Sequence, residues 1–186
     1  MKKKIENLAS INTRLNINWP ASYEPKNRKV HVHNAIVIDA RREVVWEWLV
    51  RAECWPDWYS NSKNVVIIDS IEPHKLTSKC KFRWTTFGIN LQSFVDQYAK
   101  EKVIAWEAVG FLVHAYHAWE LEEIDETHCL VITEERQYGI GAWIFHWVFP
   151  RRMWQKHHLW LTQLKKMAES YPPPSKIINS QKYGLK

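Results

Sequence analysis

The stretch FLVHAYHAWELEEI, residues 111–124, decides the fold. Read with a period of two it is a β-strand whose successive side chains alternate between faces. Leu121 belongs to the core, so Ala115, His117 and Trp119 share its face. His114, Tyr116 and Glu120 take the other. The two histidines then lie on opposite sides, about 10 Å apart along the strand. They cannot chelate one ion together, so HAYHAW is not a metal motif.

The same period runs through the neighbouring segments 64–72, 81–87, 89–99, 102–109 and 128–139. The breaks between them are short and carry Pro73, Gly88, Lys100-Glu101, Gly110 and Asp125-Glu126. Strands joined by such short connections pair antiparallel. Upstream, VHVHNAIVID (30–39) reads as a first strand. Asp39 is placed to cap a helix over 40–50, with Val44, Val45, Trp48 and Leu49 on one face. AECWPDWYS (52–60) reads as a second short helical turn interrupted by Pro56. Downstream, a helical pattern runs from about Arg151 to Tyr171. Its apolar stripe is expected to hold Trp154, His157, Leu161, Leu164 and Ala168, and the prolines at 172–174 end it.

A curved antiparallel sheet has an apolar face to cover, and the long helix is the one element large enough to cover it. The expected class is therefore α+β. Residues 1–28 form a polar N-terminal extension, 29–171 the domain, and 172–186 a Pro-rich loose tail.

Composition narrows the function. Twelve tryptophans against five glycines is the main anomaly. Each indole brings roughly 150–250 Å² of buriable surface and one N–H that needs a partner. Such residues build large cores, aromatic pockets or interfaces. The formal charge of +6 is spread along the chain with no basic helix or arginine stripe, which argues against nucleic acid as a partner. Cys54, Cys80 and Cys129 are far apart and form no CxxC pair, so they read as free thiols in a reducing cytoplasm. The N-terminus has no apolar signal-like core, and no apolar run approaches the roughly 20 residues that span a membrane.

The order VVWEWL, WPDWYS, FRWTTFG, AWEAVG, HAWEL, EERQYG and WLTQLKKMAE, between Val30 and Tyr171, resembles the START-like (SRPBCC) superfamily. The resemblance implies a helix-grip fold, a sheet wrapped around a C-terminal helix, as in pollen-allergen-like proteins, lipid-transfer domains and polyketide cyclases. Family members often carry glycine just before the F-x-W strand, where this chain has Lys79. In the register the resemblance suggests, Val131, Thr133, Glu135 and Gln137 face inward. So do Phe82, Trp84, Leu91, Ser93, Ile104 and Trp106.

The inner wall then holds Trp84, Trp106 and Trp119 with a histidine and a glutamate among them. One reading is a packed core with a satisfied His117–Glu135 hydrogen bond. The other is a pocket for a mostly apolar ligand, lined by Trp84, Ser93, Trp106, His117, Trp119, Glu135 and His157. An apolar core needs no inward glutamate, and an unpaired one costs several kcal/mol. His117 and Glu135 are also the candidate acid–base pair.

No metal site and no cofactor is expected. His157 and His158 are adjacent on a helix and do not share a face. His31 and His33 share a strand face but have no carboxylate or cysteine close in sequence. Finally, AWIFHWVFP (142–150) and the following RRMW mix Trp143, Phe145, Trp147, Phe149 and Trp154 with Arg151, Arg152 and Lys156. That segment is either packing on the sheet edge or a pocket mouth that touches a membrane transiently. Three functions stay open: a carrier of a lipid, polyketide or aromatic metabolite; a cyclase, aromatase or dehydratase on the same fold; and a co-chaperone-like interaction module.

Overall fold

The computed structural model describes residues 15–24, 30–148 and 150–173. Residues 1–14 of the extension, the tail from 174 onward, Phe149 and the side chain of Phe145 lie outside the described part. Seven strands make one antiparallel sheet: β1 (Val30–Ile38), β2 (Ser62–Ile67), β3 (Lys81–Thr86), β4 (Ile89–Ala99), β5 (Val103–Gly110), β6 (Val113–Asp125) and β7 (His128–Tyr138). Their spatial order is β1-β7-β6-β5-β4-β3-β2. Register shifts between Lys63 and Val66, Val95 and Gln97, and Glu123 and Asp125 mark irregularities, and such bulges bend and twist a sheet.

Helix α1 (Arg42–Val50) follows β1. Asp39 does not cap it. The helix begins three residues later, after an extended Arg41, and has no side-chain cap. The Asp39 N–H instead donates to Glu169 Oε1 at 2.8 Å, which ties the end of β1 to the C-terminal helix. A 3-10 turn, Ala52–Cys54, leads directly into the single-turn helix α2 (Trp55–Trp58). Pro56 does not interrupt this turn. It sits in the first turn of α2, where no backbone donor is needed.

Residues 142–150 are not a plain loop. Helix α3 (Ile140–Val148) lies there, started by Gly139 at φ 107°. A Cβ on Gly139 or Gly141 would stand 2.6 or 2.8 Å from the Leu112 carbonyl oxygen. Glycine is what lets α3 press against the β5–β6 turn.

The long helix α4 (Arg152–Ser170) buries Met153, His157, Trp160, Leu161, Leu164, Met167 and Ala168. Trp154 is not in that stripe. It is about 100° round the helix from Met153, is half-exposed, and stacks flat on His158. Lys79, standing where the family favours glycine, adopts φ 61°. Its ammonium reaches the Asp96 carbonyl at 2.8 Å.

The main core lies between the sheet's concave face, α1, α2 and α4. The opposite face is covered too. The 15–24 segment packs Leu15, Ile17, Trp19 and Tyr23 against Ala105, Tyr116, Ala118 and Ile132. Asn16 N–H donates to Glu120 Oε2, Asn18 N–H to Gln97 Oε1, and the Tyr23 hydroxyl to Glu107 Oε1. Arg136 stacks 3.5 Å over the Trp19 ring. Its Nε holds Glu134 at 2.7 Å. Glu134 also meets His31 at 2.9 Å, so these strand histidines have a carboxylate from the neighbouring β7 that sequence distance hides.

Candidate functional site

The alternation expected along β6 places His117 directly opposite Glu135 on β7 and Trp106 on β5. All three face α4. His157, one helical turn into α4, comes down onto them. His157 Nε2 is 3.1 Å from Glu135 Oε2, and His117 Nδ1 is 3.3 Å from the same oxygen. The His117 and His157 ring centroids are 4.7 Å apart.

The remaining atoms of this trio fix its protonation. Thr133 Oγ1 donates to the Ala118 carbonyl at 3.2 Å, so it can only accept from His117 Nε2, 2.7 Å away. The proton of neutral His117 is therefore on Nε2. Burial drives the imidazole well below the usual histidine range, against the opposing pull of Glu135. Its Nδ1 is left bare. It sits within ion-pair reach of Glu135 but has no hydrogen-bond partner among the described residues. Burial pushes Glu135 up, but the His157 hydrogen bond, the attraction of His157 and His117 and the Gln137 hydrogen bond together outweigh it, and the carboxyl is held well below its usual range. Gln137 Nε2 grips the other carboxylate oxygen, Oε1.

A cavity of about 300 Å³ opens beside the trio, between sheet, α3 and α4. His117, Glu135, Gln137 and His157 form its polar end. Trp84, Trp106, Phe87, Ala115, Val113, Met153 and Trp160 are among the apolar residues that line the rest. Trp160 is the hub of the aromatic wall. Rings of Trp55, Tyr59, Trp84, Trp106, His117 and Trp119 lie with centroids 4.6 to 6.4 Å from it. The indole N–H groups of Trp106 and Trp160 have no hydrogen-bond partner among the described residues.

Five of the seven residues expected to line a pocket do so: Trp84, Trp106, His117, Glu135 and His157. Ser93 and Trp119 do not reach the cavity. Ser93 Oγ accepts the Trp84 indole N–H at 3.1 Å and so orients that wall. Trp119 is fully buried behind His117 and Trp160. Tyr59, Met153 and Trp160 also line the cavity. Trp160 follows His157 by three residues, a spacing that puts both on one helical face.

Comparison of the whole architecture with solved structures settles the fold. A hypothetical protein of Helicobacter pylori superposes at TM-score 0.74 with 25% identity, over 84% of this chain and 98% of its own. The Zhui aromatase/cyclase of Streptomyces sp. R1128 matches at 0.64 and 16%, over 75% and 93%. A truncated norcoclaurine synthase of Thalictrum flavum matches at 0.59 and 11%, over 76% and 94%. The chain has a helix-grip fold. No protein-family model matches it, and no curated protein matches it significantly in sequence. In this helix-grip domain the cavity occupies the space between grip and helix, with the His–Glu–His trio built from β6, β7 and α4.

Proposed function

We propose that the protein binds a compact, mostly apolar small molecule that carries at least one polar oxygen, in the cavity beside His117 and Glu135. The observation that carries this reading is the cavity itself: an aromatic wall closed at one end by three buried polar side chains. Small-molecule sites are apolar with a few placed polar groups, and span roughly 300–1,000 Å³. At about 300 Å³ the site suits a fused two- or three-ring metabolite better than a two-chain lipid. The polar side chains His117, Gln137 and His157 on the cavity lining favour a ligand that carries at least one oxygen.

The test is calorimetric titration of the full-length chain with 2-naphthol, alongside Ala115→Phe. Ala115 lines the cavity, and a phenyl ring there fills it. Binding by the parent and at least tenfold weaker binding by a folded Ala115→Phe is the expected result. Equal binding by both excludes the cavity as the site.

A second reading is enzymatic. The buried His117 imidazole, beside Glu135, lines the cavity and is the candidate acid–base group for a bound enol or phenol. Turnover of a compound that copurifies with the chain, seen by native mass spectrometry, separates this enzyme from a carrier.

Exchange of ligand at a membrane surface fits the mouth. Trp143, Ile144, Trp147 and Trp154 are exposed around it, Trp147 by 76%, and Arg151 and Arg152 flank them. Among the described residues no helix is long and apolar enough to cross a membrane, so contact would be peripheral. Cosedimentation with phosphatidylserine vesicles, reduced in Trp147→Ser, is the expected outcome. The same sedimentation for both chains rules this mouth out.

A further inference from the structure

We propose that His117 Nδ1, Glu135 Oε2 and His157 Nε2 form a three-ligand site for a divalent first-row transition-metal ion, with its open coordination positions facing the cavity. This goes beyond the binding of a small molecule and does not depend on it.

The donor atoms are spaced for a metal. With M–N and M–O bonds of about 2.0–2.2 Å, neighbouring donors stand roughly 3.3 Å apart in a tetrahedron and about 3 Å apart in an octahedron. The two nitrogen–oxygen separations are 3.3 and 3.1 Å. The donor atoms all lie within 4.8 Å of one another. Metal binding displaces the His157 Nε2 proton now shared with Glu135, which passes to the ring's unpartnered Nδ1 or to solvent.

The surroundings are those of a metal site also. Metal-binding histidines donate their second N–H to a fixed acceptor, and ligating carboxylates are themselves hydrogen-bonded. His117 Nε2–H is held by Thr133, and Glu135 Oε1 by Gln137. Both partners thus occupy the atoms a metal would not use. They leave His117 Nδ1 and Glu135 Oε2 aimed at each other with no proton between them.

That juxtaposition is what the metal explains. A buried imidazole lone pair facing a buried carboxylate oxygen is unfavourable, and a cation between them satisfies both. Two histidines and one carboxylate with open positions is the donor set of catalytic zinc and non-haem iron sites. The open positions would take water, or the oxygen of a molecule in the aromatic cavity.

The experiment is titration of the chelator-treated full-length chain with Co(II), followed by dialysis, metal analysis and visible absorption. The variants are Glu135→Gln, His157→Ala and, on the surface, His158→Ala, each checked for folding by thermal melting. One retained Co(II) per chain, with the strong visible bands of a four- or five-coordinate ion, is expected. Affinity should fall by about tenfold or more in Glu135→Gln and His157→Ala and stay unchanged in His158→Ala. If Glu135→Gln does not fold, His157→Ala decides alone.

No retained cobalt, or equal retention by His157→Ala and the parent, overturns the proposal. The second result would assign the binding to surface histidines. The 2-naphthol titration of the metal-free chain is independent of this. Naphthol binding without cobalt binding removes the metal and leaves the cavity reading standing, and the converse removes only that reading.

Discussion

At the scale of single residues, Thr133 controls the site without touching the cavity. Its hydroxyl is committed as donor to Ala118, and so it selects which nitrogen of His117 carries the proton. Thr133→Val keeps the side-chain shape and leaves the buried His117 N–H unsatisfied. The expected loss is about 1–3 kcal/mol, read as a lower urea midpoint at unchanged slope. An unchanged midpoint would mean that His117 turns to find another acceptor, and that Thr133 does not set its tautomer.

His117 and Glu135 were legible in the sequence because strand alternation assigns a face to each side chain. Alternation does not assign depth. Trp119 shares the face of His117 but sits farther along β6, under Trp160. Ser93 faces inward yet spends its hydroxyl on Trp84. The contact of His157 with Glu135 joins a helix to a strand 22 residues away, and no local spacing encodes it.

At the scale of elements, β3 to β7 begin and end within about two residues of where the period of two and the turn residues place them. The strand expected over 64–72 stops at Ile67, because β3 begins at Lys81 and offers the rest no partner. The other errors fall at helix starts. Asp39 has the chemistry of a cap but is used across the fold, and α3 is so apolar overall that its sequence, IGAWIFHWV, offers no polar face to mark it as a surface helix. Contact with β6, β7 and β1 gives it a place.

The β6–β7 hairpin offers a test of its own turn. The His128 imidazole and the Thr127 N–H both donate to Asp125, which holds its carboxyl at about 2, below the ordinary range. A depressed carboxyl contributes stability that is complete above the unfolded pKa, near 3.9, and is lost as pH falls toward the folded one. Asp125→Asn should therefore be less stable than the parent at neutral pH, by a small margin because the turn is solvent-screened. The two urea midpoints should converge between about pH 4 and pH 2. A gap that persists at the acid end would assign the effect to turn geometry and not to charge.

At the scale of the whole molecule, the class and the grip-and-helix layering followed from one long helix and a run of strands. The covering of the outer face did not. A stretch with the polarity of 1–28 gives no signal that Trp19 and Tyr23 will close a second apolar layer, because that layer forms only once Tyr116, Ala118 and Ile132 are aligned by the sheet.

The aromatic hub around Trp160 has a consequence for how the protein handles light. Its indoles lie within a few ångströms of each other, Trp55 at 5.0 Å and Trp119 at 5.1 Å from Trp160. Excitation absorbed by one of them passes between neighbours before it is emitted. The cluster behaves as a single antenna, and the neutral imidazole of His117, 5.3 Å from the Trp160 ring, sits at its edge. A quencher entering the cavity therefore darkens the whole buried group. The exposed indoles of Trp143, Trp147 and Trp154 emit apart from it, at longer wavelength. The blue and red edges of one emission spectrum thus report separately on the interior of the grip and on its mouth.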